Sequence, residues 1–231
     1  MDLGSYININ QLKANIMKRA ALVFTLVAMV CSMNGQPQAG KFSLTPRIGV
    51  NWSKTTDHQF WAELYNSGNG GRKQHRPNTK AGIVAGLDAD YMFTKWLGAT
   101  LGVAYSNEGF KLDNSHGRPQ NLKYLNISAL AEVYPIRGLA LKSGIQYGIL
   151  LGAELGETTF KYDGMTVVWD SFENKRDYRN DNWSIPIAVS YEYKNIILDL
   201  RYNIGIKNIY SYSDDYKTRS LWLTLGYKFV L

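Results

Sequence analysis

Eight segments of the chain alternate apolar and polar residues with period two, the pattern of β-strands with one dry and one wet face. In segment 41–52, Phe42, Leu44, Ile48, Val50 and Trp52 share one parity, opposite Lys41, Ser43, Thr45, Arg47, Gly49 and Asn51. Segment 81–93 sets Ala81, Ile83, Ala85, Leu87, Ala89, Tyr91 and Phe93 against Gly82, Gly86, Asp88 and Asp90. The same alternation recurs in 97–106, 125–133, 139–152, 183–193, 196–205 and 221–231, and none of the apolar-parity positions is charged. Helical periodicity is absent, and no apolar stretch after residue 35 is long enough for a transmembrane helix.

Connections alternate too. Short links fall at 94–96, 135–138 and 194–195, and long ones at 53–79, 107–121, 153–182 and 208–220. This predicts an all-β fold: an eight-stranded antiparallel transmembrane β-barrel with short periplasmic turns and long outer loops, in the bacterial outer membrane. A lipocalin-like soluble barrel also has an apolar face, turned inward. The other face decides. A water-facing exterior needs dense Lys, Glu and Thr, whereas here Gly, Ser, Asn and Ala dominate with scattered charges. Aromatic residues on the apolar parity gather near segment ends, at Trp52, Tyr91, Phe93, Tyr105, Trp183, Tyr191, Tyr193, Tyr227 and Phe229, as two interfacial girdles would require. The apolar face is therefore turned toward lipid. Pro46 on the lipid parity and Pro186 on the interior parity cannot donate to a ladder without a bulge, so local irregularity is expected at both.

The interior parity carries Arg47, Asp88, Asp90, Glu132, Lys142, Glu192, Asp199, Arg201 and Lys228. A lumen of about eight strands is just wide enough for side chains to fill, and buried charges must pair. A structural salt-bridge network is the expected use of these residues, with a proton or small-ion path as the functional alternative. A porin is not expected.

Composition adds little until the N-terminus is considered. Met17-Lys18-Arg19 precedes an apolar run from Ala20 to Val30, followed by Cys31, Ser32, Met33, Asn34 and Gly35. A short basic region, a run too short to span a bilayer and small or polar residues after it compose a secretory signal peptide. Residues 1–35 are read as N-terminal extension and signal peptide, with cleavage between Gly35 and Gln36, and residues 36–231 as the barrel domain. Met1 to Ile16 are read as upstream of the true start rather than as an unusually long basic region. Cys31 is the only cysteine, and Val30 stands where a lipoprotein signal needs a small residue. Cleavage thus leaves no thiol for a disulfide or metal. The net charge of +7 falls to +5 once Lys13, Lys18, Arg19 and Asp2 are removed, and without a dense basic block nucleic acid is not an expected partner.

No catalytic residue, metal site or cofactor is expected. His58, His75 and His116 fall in predicted loops without ligand spacing, and Ser53, Asp57 and His58 supply hydrolase residue types without a recognisable arrangement. Gly68-Asn69-Gly70-Gly71 reads as flexible loop, and Arg72, Lys73, His75 and Arg76 after it as a surface facing solvent or lipopolysaccharide. Asp214 and Asp215, beside Tyr210, Tyr212 and Tyr216, read as a polar loop tip.

FSLTPRIGVNW (42–52), YLNISALAEVYP (124–135), SGIQYGILLGAE (143–154), YEYKNIILDLRYNIGIKNI (191–209) and LWLTLGYKF (221–229) resemble the PorT-like family of outer-membrane β-barrels. The fourth stretch is the most specific; Ser128 departs from the proline that often follows the position of Ile127. The resemblance implies an eight-stranded barrel. For the namesake members it implies protein export across the outer membrane by the type IX route, with secretion or envelope proteins as partners beside outer-membrane lipid and lipopolysaccharide. Many members have no assigned role, so an autonomous surface, structural or small-solute barrel stays open.

Overall fold

The computed structural model describes residues 39–56, 77–112, 119–162, 165–173, 175–209 and 216–231. Its strands are β1 (Phe42–Thr55), β2 (Pro77–Met92), β3 (Leu97–Leu112), β4 (Gln120–Ile136), β5 (Leu139–Leu155), β6 (Thr158–Tyr162), β7 (Met165–Trp169), β8 (Phe172–Glu173), β9 (Asp181–Tyr193), β10 (Ile196–Asn208), β11 (Lys217–Tyr227) and β12 (Phe229–Val230). Eight of them, β1–β5 and β9–β11, pair antiparallel in the order β11-β10-β9-β5-β4-β3-β2-β1. Closure comes from β1 and β11, from Arg47↔Gly226 to Thr55↔Thr218, and β12 extends that seam with Leu44↔Phe229. No edge is left open along it, which is what a strand wall in lipid requires.

The short turns follow from their residues. Lys194 and Asn195 both take positive φ (46° and 70°), the backbone of a two-residue hairpin turn whose twist matches the flanking strands. Gly138 supplies the left-handed residue between β4 and β5. These turns, the β2–β3 link and the start of β1 share one rim.

The irregularity expected at Pro46 and Pro186 takes the form of interrupted pairing without a bulge. Pro46 faces Leu87 in register, and the seam keeps its register from Arg47↔Gly226 to Leu44↔Phe229. Pro186 faces Asn203, and the β5–β9 ladder passes from Ser143↔Ile187 to Gln146↔Ser184 without a shift. A missing N–H removes a ladder bond but inserts no residue, so pairing is interrupted while register survives. Register shifts lie instead at Thr79/Val84, Lys123/Tyr124, Val133/Ile136 and Ile204/Asn208.

Outward residues of the wall are apolar: Ile48, Ile83, Leu101, Ile145, Ile187 and Leu225 each leave more than half of their surface outside the fold. From Phe42 to Trp52, both outward on β1, the strand advances ten residues. That is about 33 Å along the strand, and a tilt of about 40° reduces it to about 25 Å, the height of an outer-membrane apolar band.

The strands do not stop there, and the long connections are shorter than the alternation predicts. β3 continues from Tyr105 to Leu112, β4 begins at Gln120, and β5 reaches Leu155. The expected loop 153–182 contains the hairpin β6–β7, the short β8 and a 3-10 turn at Lys175–Asp177. In this collar above the apolar band the two faces exchange character. Phe110, Leu122, Tyr124, Leu150, Ala153, Tyr178, Ile209 and Tyr216 form a buried cluster, while Lys54, Lys111, Lys217 and Arg219 point outward and are exposed. The register shift at Lys123/Tyr124 lets Ala153 turn inward on β5. Outside the bilayer the wall meets water, so apolar side chains gain by facing the lumen.

Candidate functional site: the charged and filled lumen

Every interior-parity charge named from the alternation lies inside the barrel wall, all buried except half-buried Glu192. They are stacked in layers. Nearest the short-turn rim, Lys228 Nζ donates to Glu192 Oε2 at 2.9 Å. Above it, Lys142 Nζ donates to Glu132 Oε1 at 3.1 Å and stands 3.9 Å from Asp90 Oδ1. Tyr134 Oη also donates to Glu132, at 2.8 Å. Thr100 and Thr45 hydroxyls donate to the two Asp90 oxygens at 2.8 and 3.2 Å.

The next layer centres on Asp88. Its Oδ2 lies 3.0 Å from Arg47 Nε and 3.3 Å from Arg201 Nη2, and Arg201 Nε stands 3.5 Å from Asp199. Barrel closure brings these groups together from β1, β2 and β10, far apart in sequence. Both guanidinium groups lie against the fully buried Trp222 ring, at 5.7 and 5.9 Å from its centroid. A void of about 10 Å³ lined by Thr45, Arg47, Asp88, Asp90, Lys142 and Asp199 is the space this layer leaves. That is room for about one water molecule and not for a hydrated ion.

Trp222 links this layer to another that the alternation did not reveal. Its Nε1 donates to Glu108 Oε1 at 3.2 Å, and Ser106 and Ser220 hydroxyls donate to the same oxygen at 3.2 Å. Lys80 Nζ, also buried, donates to Asn107 Oδ1 and to the Glu108 carbonyl at 3.0 and 3.1 Å. Glu108 sits in a segment read as loop, and Lys80 sits one residue before the second alternating segment. Extending the parity of Thr100, Gly102 and Ser106 by one step would have found Glu108. Trp222 has the interior parity of Thr224 and Gly226. Above them the collar cluster closes the lumen, with Tyr178 Oη donating to Gln120 Oε1 at 2.6 Å. Tyr216, read as part of a polar loop tip, is buried in that cluster.

The girdle residues Trp52, Tyr91, Phe93, Trp183, Tyr193, Tyr227 and Phe229 are exposed on the outer wall, and Tyr105 and Tyr191 are half-exposed. Neighbouring aromatics contact one another: Tyr91 with Phe93 at 5.2 Å, and Tyr227 with Phe229 at 4.9 Å. Tyr147, absent from the predicted girdle, meets Trp183 at 4.8 Å, and Trp96 is exposed at the β2–β3 turn. Ser53, considered for hydrolase chemistry, points inward and exchanges hydrogen bonds with the Gly109 backbone. Asp57, the three histidines, Cys31, the Gly35-Gln36 junction, the 68–76 loop, and Tyr210, Tyr212, Asp214 and Asp215 lie outside the described residues. Among the described residues no group of three His, Cys, Asp or Glu side chains is placed to hold a metal.

No curated protein sequence matches the chain. Solved structures similar to it include the attachment invasion locus protein Ail of Yersinia pestis, at 16% identity over 83% of this chain and 100% of that one, with a TM-score of 0.43. OprG from Pseudomonas aeruginosa is similar at 15% identity over 85% and 99% of the two chains, with a TM-score of 0.44. Neisserial surface protein A is similar at 15% identity over 81% and 95%, with a TM-score of 0.42. The model of the outer membrane protein β-barrel domain matches residues 34–211. The protein is a bacterial outer-membrane barrel and belongs to that family.

Proposed function

We propose that this chain is a PorT-like envelope component that works through protein contacts at its rims, in protein export across the outer membrane. The observation that carries the rim-based reading is the filled lumen: layered ion pairs, Trp222 and the collar cluster occupy the axis a solute would need. The export role rests on the resemblance of residues 191–209, which here form the end of β9, the Lys194–Asn195 turn and β10. Residues 17–35 serve as the export signal in this reading, behind the N-terminal extension 1–16, with residues 36–231 as the mature barrel. Deleting the gene and assaying type IX cargo in the medium tests it: retained cargo supports the role, and normal secretion removes it.

The extended collar favours a second reading, an autonomous surface barrel that displays its outer end. Its charged exterior and the β6–β7 hairpin stand beyond the apolar band, where lipopolysaccharide or another cell is met. In that case the deletion leaves secretion intact and changes surface adhesion or envelope integrity. Neither reading assigns the chain a catalytic step.

A further inference from the structure

The short-turn rim carries a pattern that neither the lumen nor the fold requires. Four cations are exposed there: Lys41 at the start of β1, Lys95 between β2 and β3, Arg137 between β4 and β5, and Lys194 between β9 and β10. Among the described residues no acidic side chain is exposed at this rim. The nearest ones, Asp90, Glu132 and Glu192, point inward and are held by Lys142 and Lys228. In the strand order around the barrel the four cations fall at the β11/β1, β2/β3, β4/β5 and β9/β10 boundaries, one for every two strands. The positive charge is spread around the whole circumference.

We propose that this ring binds the phosphates of anionic phospholipid headgroups in the periplasm-facing leaflet. Depth supports that occupant. Lys95 lies two residues beyond Phe93 and Lys194 one beyond Tyr193, both exposed girdle residues. At about 3.3 Å per residue, reduced by a tilt of about 40°, these two cations stand no more than roughly 3–5 Å past the girdle, within a headgroup layer about 5–7 Å deep. Lys194 Nζ lies 5.4 Å from the Tyr193 ring centroid, so its charge stays next to the aromatic belt. Distribution supports it as well. A protein docking from one side would meet one or two of the four cations, whereas lipids surround the barrel and meet all of them. With four exposed cations and, among the described residues, no exposed acidic side chain, the rim favours net negative lipid over zwitterionic lipid.

The test uses the full mature chain, folded into bilayers of phosphatidylcholine containing spin-labelled phosphatidylglycerol or spin-labelled phosphatidylcholine. The folded wild type is expected to prefer phosphatidylglycerol roughly fivefold at rim-contacting sites, the gain of one cation near an anionic surface, and to lose the preference in high salt. The K41Q/K95Q/R137Q/K194Q variant is expected to show no preference. The K95Q/R137Q pair loses about half if the quadruple variant does not fold. Neutralising the collar instead, in K54Q/K111Q, leaves the preference in place. Equal binding of both lipids by the wild type, or an unchanged preference in the quadruple variant, overturns the proposal. So does a wild type indifferent to lipid charge whose rim cations are needed to retain an acidic envelope protein.

Discussion

At the scale of single residues the lumen is held by contacts that have no solvent to replace them. Asp88 is the sharpest case, since one carboxylate oxygen faces both Arg47 and Arg201 and all three side chains are buried. Removing one partner of a buried pair leaves an uncompensated charge and costs about 3–5 kcal/mol. Asp88→Ala strips Arg47 of its ion-pair partner and leaves Arg201 with Asp199 alone, so its unfolding free energy in lipid vesicles should fall by about that amount. Lys123 and Glu154 make a shorter contact, 2.5 Å, but on the half-exposed outer face of the collar. Water competes for both groups there, and Glu154→Ala should cost less than about 1 kcal/mol. Urea titrations of the two variants discriminate: similar losses would mean that water reaches the Asp88 layer. Asp88→Asn keeps a hydrogen-bond acceptor and should fall between them.

Individual strands show why the alternation located the barrel and shortened its wall. Within the bilayer, apolar outside and polar inside repeats from Phe42 to Trp52 with one proline as interruption, and period two alone reads it. In the collar the strand continues while the sign of the pattern reverses, at Phe110 and Lys111 or Leu122 and Lys123. A reading that keeps one parity apolar meets this reversal as the end of the strand, so Glu108 and Phe110 fall in an expected loop and Leu122 lies short of the next segment. The charges of the lumen were legible because parity puts a side chain on a face. Their partners were not, because Arg201 and Asp88 are brought together by closure and not by spacing. Bulge positions were illegible for a related reason: they are set by curvature. Gly82 sits in the β2–β3 shift, where an added Cβ would stand 1.8 Å from the Asn107 carbonyl oxygen. That oxygen belongs to backbone and cannot rotate away, so Gly82→Ala should destabilise the barrel by about 1–3 kcal/mol. Gly152 is a fair control, since its nearest atom is Lys123 Cδ at 3.8 Å and Gly152→Ala should be nearly neutral. The temperature at which the folded band converts to the unfolded mobility on a gel reports both, and equal shifts would remove close approach as the reason for Gly82.

The whole molecule is one wall in two solvents, and its two closures have different origins. In the bilayer the lumen is the only place for polar side chains, so ion pairs accumulate there until Arg47, Asp88, Arg201 and Trp222 fill the section. In the collar the lumen is the only dry place, so Phe110, Tyr178 and Tyr216 fill it with apolar surface. Each closure would stop a solute without the other. Planar-bilayer recording of the folded wild type should therefore show no steady open level. Truncating the collar in F110A/Y178A/Y216A removes three large buried side chains and should lower stability by several kcal/mol, at about 3–5 for a buried aromatic such as Phe110. It should nevertheless leave the barrel non-conducting, because the arginine layer below is untouched. A steady conductance in the wild type would defeat the filled-lumen description altogether. Conductance confined to the collar variant would show that the ion-paired layer passes ions, and the proton or small-ion path would then replace the rims as the working part.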